Sequence, residues 1–360
     1  MKLAQIESSF DLDDDVHGLG PRIEKAAESG IQPRPRIEQA TDAPKARGST
    51  KPGVWHFRNP VVATDCPDPA VVAVDEADGR RYYAVCTGGR FAIRTSRDLI
   101  TWHDTGAFIL PSDKPPWAAN GERNWAPELH RVGDRWIAYF TSVDQQDRLC
   151  IGTAVAASPT GPYTVSAAPL VQDPQGVIDA NFFEDDDGRR FLIYKIDGNA
   201  FGNPTPIYIR ELAPDGLSFA PGSSPTQILV NDAGTWEGGV VEGPWLVKRA
   251  DHYFLFYSGN VYDHRYRTGV ARSKSVLGPY EKHGQPILGI NSQWVGPGHG
   301  SVVTVGGSDF FVYHAWLNDG SDGHVAAAGR QMLVDRIIYA NGWPAIGGGS
   351  PTTSLQPFPE

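Results

Sequence analysis

The chain has 360 residues, 40% of them hydrophobic, enough to bury one large core or two modest ones. Forty Gly and 29 Pro against 21% charged residues imply frequent turns and few long helices, which favours an all-β protein. A net charge of −10 argues against nucleic acid or an anionic membrane as partner, since both require a basic surface, and leaves a neutral substrate as the better fit.

The first twenty residues, MKLAQIESSFDLDDDVHGLG, hold no apolar h-region, so no secretory signal is expected and a cytoplasmic location is the default. No run of 18 apolar residues predicts a transmembrane helix. Cys66, Cys86 and Cys150 have no metal-binding spacing and leave one thiol unpaired, which fits a reducing compartment. Residues 1–53 are polar, Pro-rich and without alternation, and read as an N-terminal arm or linker. Three roles are open to such an arm: covering a pocket, promoting oligomerisation, or none.

From residue 54 one unit recurs. The aromatic-rich segments YYAV, RWIAYFTS, RFLIYKI, HYFLFYSG and DFFVYHAW each follow a tight turn marked by Gly79, Asp134, Gly188, Asp251 or Ser308. The markers are 54 to 63 residues apart, and each turn follows a shorter apolar strand. Units of about 50 residues with four strands predict a five-bladed β-propeller over 54–350, followed by a tail over 351–360.

In a propeller the first strand of each blade lines a central channel, so polar side chains there face a shared cavity. Reading back from the markers gives Asp68 in CPDPAVVAV, Glu128 in WAPELHRV, Asp179 in VIDANFFED, Glu242 in VEGPWLVK and His299 in GPGHGSVVTV. One polar residue per blade, in phase, predicts a common pocket. Close, partly desolvated carboxylates separate their pKa values, and hydrolysis of a glycosidic bond uses that division between one acid and one base. The 11% of aromatic residues suits sugar binding, because aromatic faces stack on the C–H faces of sugar rings.

The segments NPVVATDCPDPAVV, NWAPELH, VIDANFFEDDDGRRFLIY, VEGPWLVKRADHYFLFYSG and GPGHGSVV together resemble glycoside hydrolase family 43 from about Asn59 to Trp343. That family consists of five-bladed β-propeller enzymes acting on arabinose-, xylose- and some galactose-containing glycans. The resemblance implies Asp68 as general base of an inverting displacement, Glu242 as general acid, and Asp179 as the carboxylate that orients Glu242 and keeps it protonated. Base and acid should then stand about 6.5–9.5 Å apart to admit a water. It also implies that His299 faces the pocket, where the matching histidine in many relatives ligates a central calcium ion, often through water. Calcium prefers oxygen ligands, so a hydrogen-bonding channel histidine is the alternative; no cofactor is otherwise required. Arg330 matches a final-blade arginine that faces the pocket.

Trp125 and Glu128 read as the second blade's pocket edge, with sugar binding or a structural hydrogen bond open for Glu128. Trp236 and Trp294 lie shortly before channel residues and are candidates for stacking on sugar. Glu237 is five residues before Glu242, but the EGPW match favours Glu242. Cys66 and His130 read as packing residues, and EDDDG at 184–188 as a hairpin turn rather than a calcium loop.

The segment ATDC before the DP pair departs from the apolar or aromatic insertion common in the family, which bears on the wall near the first sugar. No β-sandwich follows the fifth blade in this sequence, which tilts the reading from xylosidase toward a furanosidase. The leading expectation is an exo-acting, inverting glycosidase releasing terminal α-L-arabinofuranose. β-Xylosidase, β-D-galactofuranosidase, endo-arabinanase and a non-catalytic glycan-binding propeller are the alternatives.

Overall fold

A computed structural model describes residues 56–321 and 323–359, so the expected arm over 1–53 lies outside the described residues. Five antiparallel sheets follow one another in chain order, four of them with four strands and the second with five. This is the five-bladed β-propeller that the repeat implies. The innermost strands are Ala70–Glu76, Trp125–Val132, Val177–Glu184, Val241–Arg249 and Trp294–Val305. Each returns through a hairpin into a second strand, respectively Gly79–Val85, Arg135–Val143, Arg190–Ile196, His252–Gly259 and Ser308–Leu317. The five turn markers fall within or at the edge of these hairpins. Among the described residues the only helical segments are three short 3-10 turns.

The aromatic character of the second strands fills the space between blades. Tyr139, Phe140, Phe191, Phe256, Phe311 and Tyr313 are all fully buried, and a side chain of that size contributes about 1.5–3 kcal/mol by leaving water. The C-terminal segment is more than a tail. Gln356–Pro357 pairs with His56–Phe57, Arg58 donates to the Thr353 carbonyl at 3.1 Å, and Phe358 meets Phe57 edge-on at 5.9 Å. Gln356–Pro357 and His56–Phe57 form a separate two-stranded sheet beside the five blades.

One backbone device recurs at the channel. Register shifts interrupt the innermost strands of blades 2 to 5, at Ala126, Asp179, Gly243 and His299, all in the left-handed region with φ between 40° and 59°. Asp68, just ahead of the first blade's innermost strand, has φ 54°. A bulge re-aims its side chain out of the strand's alternation, and non-glycine residues held there cost about 1–3 kcal/mol each. The ends of the second strands hold these bulges in place. Thr87 Oγ1 accepts the Ala126 N–H at 2.6 Å, Thr141 Oγ1 accepts that of Asp179 at 3.3 Å, and Ser258 Oγ accepts that of His299 at 2.8 Å. His314 Nδ1 closes the ring by accepting the Asp68 N–H at 3.1 Å. The matching position of blade 3 is Lys195, paired with Ile178 across the strands, and a lysine cannot accept. There the N–H of Gly243 goes to Asp179 Oδ2 instead, at 2.9 Å.

Candidate active site

The bulges aim side chains from several blades into one cavity of about 270 Å³, close to the small end of ligand pockets at about 300–1,000 Å³. Asp68, Asp179 and Glu242 all line it, together with Trp125, His299 and Arg330. Six of the expected site residues thus share one wall.

Asp68 is held as a carboxylate. Its Oδ2 accepts from Thr87 Oγ1 at 2.6 Å, and its Oδ1 accepts from Arg330 Nη1 at 3.2 Å. The rings of His299 and His314 present Nδ1 at 3.3 and 3.2 Å from the same oxygen. Burial opposes ionisation, but the charges of Arg330 and His299 outweigh it and keep this carboxyl well below the usual range, while burial lowers the His314 pKa to about 4 and leaves that ring neutral. Arg330 in turn lies over the Tyr262 ring, 5.2 Å from its centroid, which fixes the guanidinium at the pocket wall.

Asp179 and Glu242 behave in the opposite order from that expected. Burial, reinforced by Glu242, pushes Asp179 up to about 6 against the pull of His299 and Lys195. Glu242 is also buried, yet Lys195, Tyr266 and His299 outweigh that and hold it below its ordinary value. Lys195 Nζ stands 2.9 Å from Glu242 Oε2, and Tyr266 donates its hydroxyl to Oε1 at 2.8 Å. Asp179 and Glu242 thus act on each other's charge, and they titrate as a pair. The Lys195 ammonium, a group that the expectation of a protonated Glu242 did not include, acts on Glu242 against the charge of Asp179.

Three other expected sugar-binding residues lie elsewhere. Glu128 is two residues past its blade's bulge, and its carboxylate accepts from Asn181 Nδ2 at 3.1 Å and from the Phe182 N–H at 3.2 Å, with His130 at 2.7 Å. It ties blade 2 to blade 3 and does not line the cavity. Trp236 packs on Tyr257, ring centroids 5.9 Å apart, over the space left by Gly259 and Gly269. Trp294 is 0% exposed, in the core shared by blades 4 and 5. Glu237 is also structural, accepting from Tyr257 at 2.7 Å and Lys282 at 2.6 Å. His130 lies against Phe182 and Trp245, and EDDDG forms its hairpin turn. Cys66 and Cys86 are joined as a disulfide, and Cys150 is free and buried.

His299 stands at the channel with its Nδ1 3.3 Å from Asp68 Oδ1, the place from which the resemblance implies a calcium contact, often through water. No group of three or more His, Cys, Asp or Glu among the described residues is arranged to hold a metal ion. The Asp68, Asp179 and Glu242 carboxylates act against burial and raise the His299 pKa. Its role in the geometry is to face Asp68.

The sequence reading missed Lys195, Asp197, Tyr266, Thr87 and His314. A lysine inside the apolar run FLIYKI was a signal of the same kind as Asp179 in its own strand. Tyr266 and His314 stack face to face with ring centroids 5.8 Å apart, a contact that no local pattern announces.

A five-bladed propeller with a carboxylate-lined cavity defines a class of glycan-processing enzymes, and the family model described as Glycosyl hydrolases family 43 matches residues 57–344. The chain belongs to that family and is a glycosidase by membership. It is 31% identical over 263 residues to a β-D-galactofuranosidase, xynD, of Aspergillus niger, spanning 68% of this chain and 70% of the relative. It is 27% identical over 347 residues to a xylan 1,3-β-xylosidase of a Vibrio species, spanning 84% of this chain and 61% of that longer protein. Further relatives bear arabinofuranosidase and arabinanase names. A crystal structure of a thermostable family-43 glycoside hydrolase superposes with a TM-score of 0.74 at 29% identity, covering 84% of this chain and 99% of the other.

Proposed function

We propose that the protein is an inverting, exo-acting glycosidase that releases a terminal furanose, with α-L-arabinofuranose as the leading substrate. The observation that carries this reading is the small cavity lined by Asp68, Asp179 and Glu242, which suits one terminal sugar better than a length of chain. Asp68, whose carboxyl Arg330 and His299 hold well below the usual range, accepts a proton from water as the water oxygen attacks the anomeric carbon. Glu242 gives a proton to the departing glycosidic oxygen, which takes the electron pair of the breaking C–O bond. Asp179 and Glu242 are coupled through their charges, and the two titrate as a unit. Arg330 and His299 keep Asp68 oriented and charged.

The Aspergillus relative, a β-D-galactofuranosidase 31% identical to this chain, favours galactofuranose as a second reading. Initial rates on aryl α-L-arabinofuranoside, β-D-xyloside and β-D-galactofuranoside separate these substrates, with Asp68→Ala as the control. Proton NMR of the first sugar released reads the stereochemistry. Retention of anomeric configuration sinks the inverting mechanism, and a dominant rate on the xyloside sinks the furanose assignment.

A further inference from the structure

Lys195 is 0% exposed and yet charged, a combination rarely found without a paired function. Its ammonium group makes two contacts, Asp197 Oδ1 at 2.9 Å and Glu242 Oε2 at 2.9 Å. It also occupies the one place in the ring of second-strand ends where the scaffold forgoes a hydrogen-bond acceptor for the next blade's bulge. Thr87, Thr141, Ser258 and His314 all accept such a bond. A position that is structural in the other four blades is given to a cation in blade 3, and that cation touches Glu242.

We infer that Lys195, clamped by Asp197, is a positioning residue for Glu242: it fixes Oε2 and its charge stabilises the carboxylate that Glu242 becomes when the leaving oxygen takes the proton. The inference rests on Glu242 being the general acid, as proposed above. In the step itself the Glu242 O–H bond breaks, an O–H bond forms to the departing oxygen, and the new carboxylate faces an ammonium already in place. An environment preset for charge that develops in the transition state costs no reorganisation at that moment. Tyr266, donating to Oε1 from the loop ahead of its blade's third strand, holds the other oxygen.

Lys195 also sets where Glu242 titrates. The groups acting on Glu242 are Lys195 from blade 3, Tyr266 from blade 4, Asp179 from blade 3 and His299 from blade 5. Asp197 and Asp179 share the field of Lys195 with Glu242, and Asp68 acts on Tyr266 and Asp179 from blade 1. Removing the ammonium and removing its counter-carboxylate should therefore move Glu242 in opposite directions, which loss of packing would not do.

The test compares Lys195→Met, Lys195→Arg and Asp197→Asn with the unaltered protein in two ways. The first is kcat/KM against pH on aryl glycosides of good and poor leaving groups. The second, which needs no substrate, is the titration of the Glu242 side-chain carboxyl by carbon-13 NMR, assigned by its disappearance in Glu242→Gln. We expect Lys195→Met to raise the Glu242 titration by about one to three pH units and Asp197→Asn to lower it. Lys195→Met should also lose roughly 100-fold in turnover on poor leaving groups and far less on activated ones, with Lys195→Arg restoring part of it. An unmoved titration in Lys195→Met, or shifts of the same sign in both variants, overturns the inference. If Lys195→Met does not fold, the downward shift in Asp197→Asn decides alone, and its absence is fatal. A Glu242→Gln variant that loses equally on good and poor leaving groups refutes the acid assignment itself. A normal Glu242→Gln response with an insensitive Lys195→Met refutes only the role of Lys195.

Discussion

Blade 3 and its four neighbours solve the same local problem with different atoms. Each blade must turn a bulged residue toward the channel and pair the N–H of the bulge that follows. Blades 1, 2, 4 and 5 do so with Thr87, Thr141, Ser258 and His314, while blade 3 spends that position on Lys195 and lets Asp179 accept the Gly243 N–H. The difference separates scaffold from chemistry. Where the position holds an acceptor it fixes the backbone; where it holds an ammonium it charges the cavity, and a carboxylate already present for chemistry takes over the backbone bond.

The sharpest way to break this contrast is at the carboxylate that blade 4 presents to Lys195. Glu242→Gln should reduce turnover on glycosides with poor leaving groups by about 10²–10⁴-fold, roughly 3–5 kcal/mol, while substrate binding changes little. Steady-state rates paired with binding by calorimetry test this; near-unaltered turnover of a natural glycan removes Glu242 from the mechanism. On the scaffold side, Glu128→Ala removes the carboxylate that joins blades 2 and 3 and strands the amide of Asn181, which is 1% exposed. A loss of about 2–4 kcal/mol in urea unfolding is expected, with the pH dependence of kcat/KM unaltered. A displaced pH profile with full stability would return Glu128 to the pocket.

Thr141→Val isolates the ring itself. It keeps the volume but leaves the buried Asp179 N–H without its acceptor, and should cost about 1–3 kcal/mol. The effect on activity is expected to follow from the aim of Asp179 and to be smaller than that of any change at Lys195. The proton count of the site gives a parallel test. With Asp179 pushed up to about 6, the Asp179–Glu242 pair carries one proton below that pH and loses it above. Turnover that needs this proton should fall as pH rises through about 6, whereas the acidic limb, set by Asp68, lies well below the usual carboxylate range. An alkaline limb two or more units higher would mean that the pair keeps its proton by other means.

How far these features could be read from sequence depends on whether they leave a local mark. The blades were legible because a hairpin needs specific turn residues and a buried strand needs aromatic or branched ones, and both recur at a regular spacing. Asp68, Asp179 and Glu242 were legible because a carboxylate at the edge of an apolar run has few structural uses. The same rule placed Glu128 with them wrongly. A bulge changes which side chains face the channel, and its exact residue is fixed by backbone φ and register, so two positions past Ala126 Glu128 already faces blade 3. Trp236 and Trp294 are close to channel residues along the chain, but the fold uses their area as core. Lys195 escaped because a lysine in a strand ordinarily implies a solvent-facing position, and only tertiary packing shows two carboxylates waiting for it.

The smallest expected effect concerns a difference among the hairpins between first and second strands. Blades 1, 2, 3 and 5 place glycine in the left-handed region there, at Gly79, Gly133, Gly188 and Gly306 with Gly307, whereas blade 4 places Ala250 there with φ 52°. Its side chain is exposed, so nothing in packing requires the methyl group. An L-residue in that region costs about 1–2 kcal/mol, and glycine forfeits about 0.5–1 kcal/mol of that gain through the greater freedom of its unfolded chain. Ala250→Gly should therefore stabilise the protein by roughly 0.5 kcal/mol, a rise in Tm of about 1–2 °C by calorimetry. Because Arg249 beside it holds Asp309 of blade 5 at 2.6 Å, the substitution also asks whether that ion pair depends on a stiff turn. A fall in Tm would mean that the rigidity of Ala250 is worth more to the blade 4–blade 5 contact than relief of its backbone.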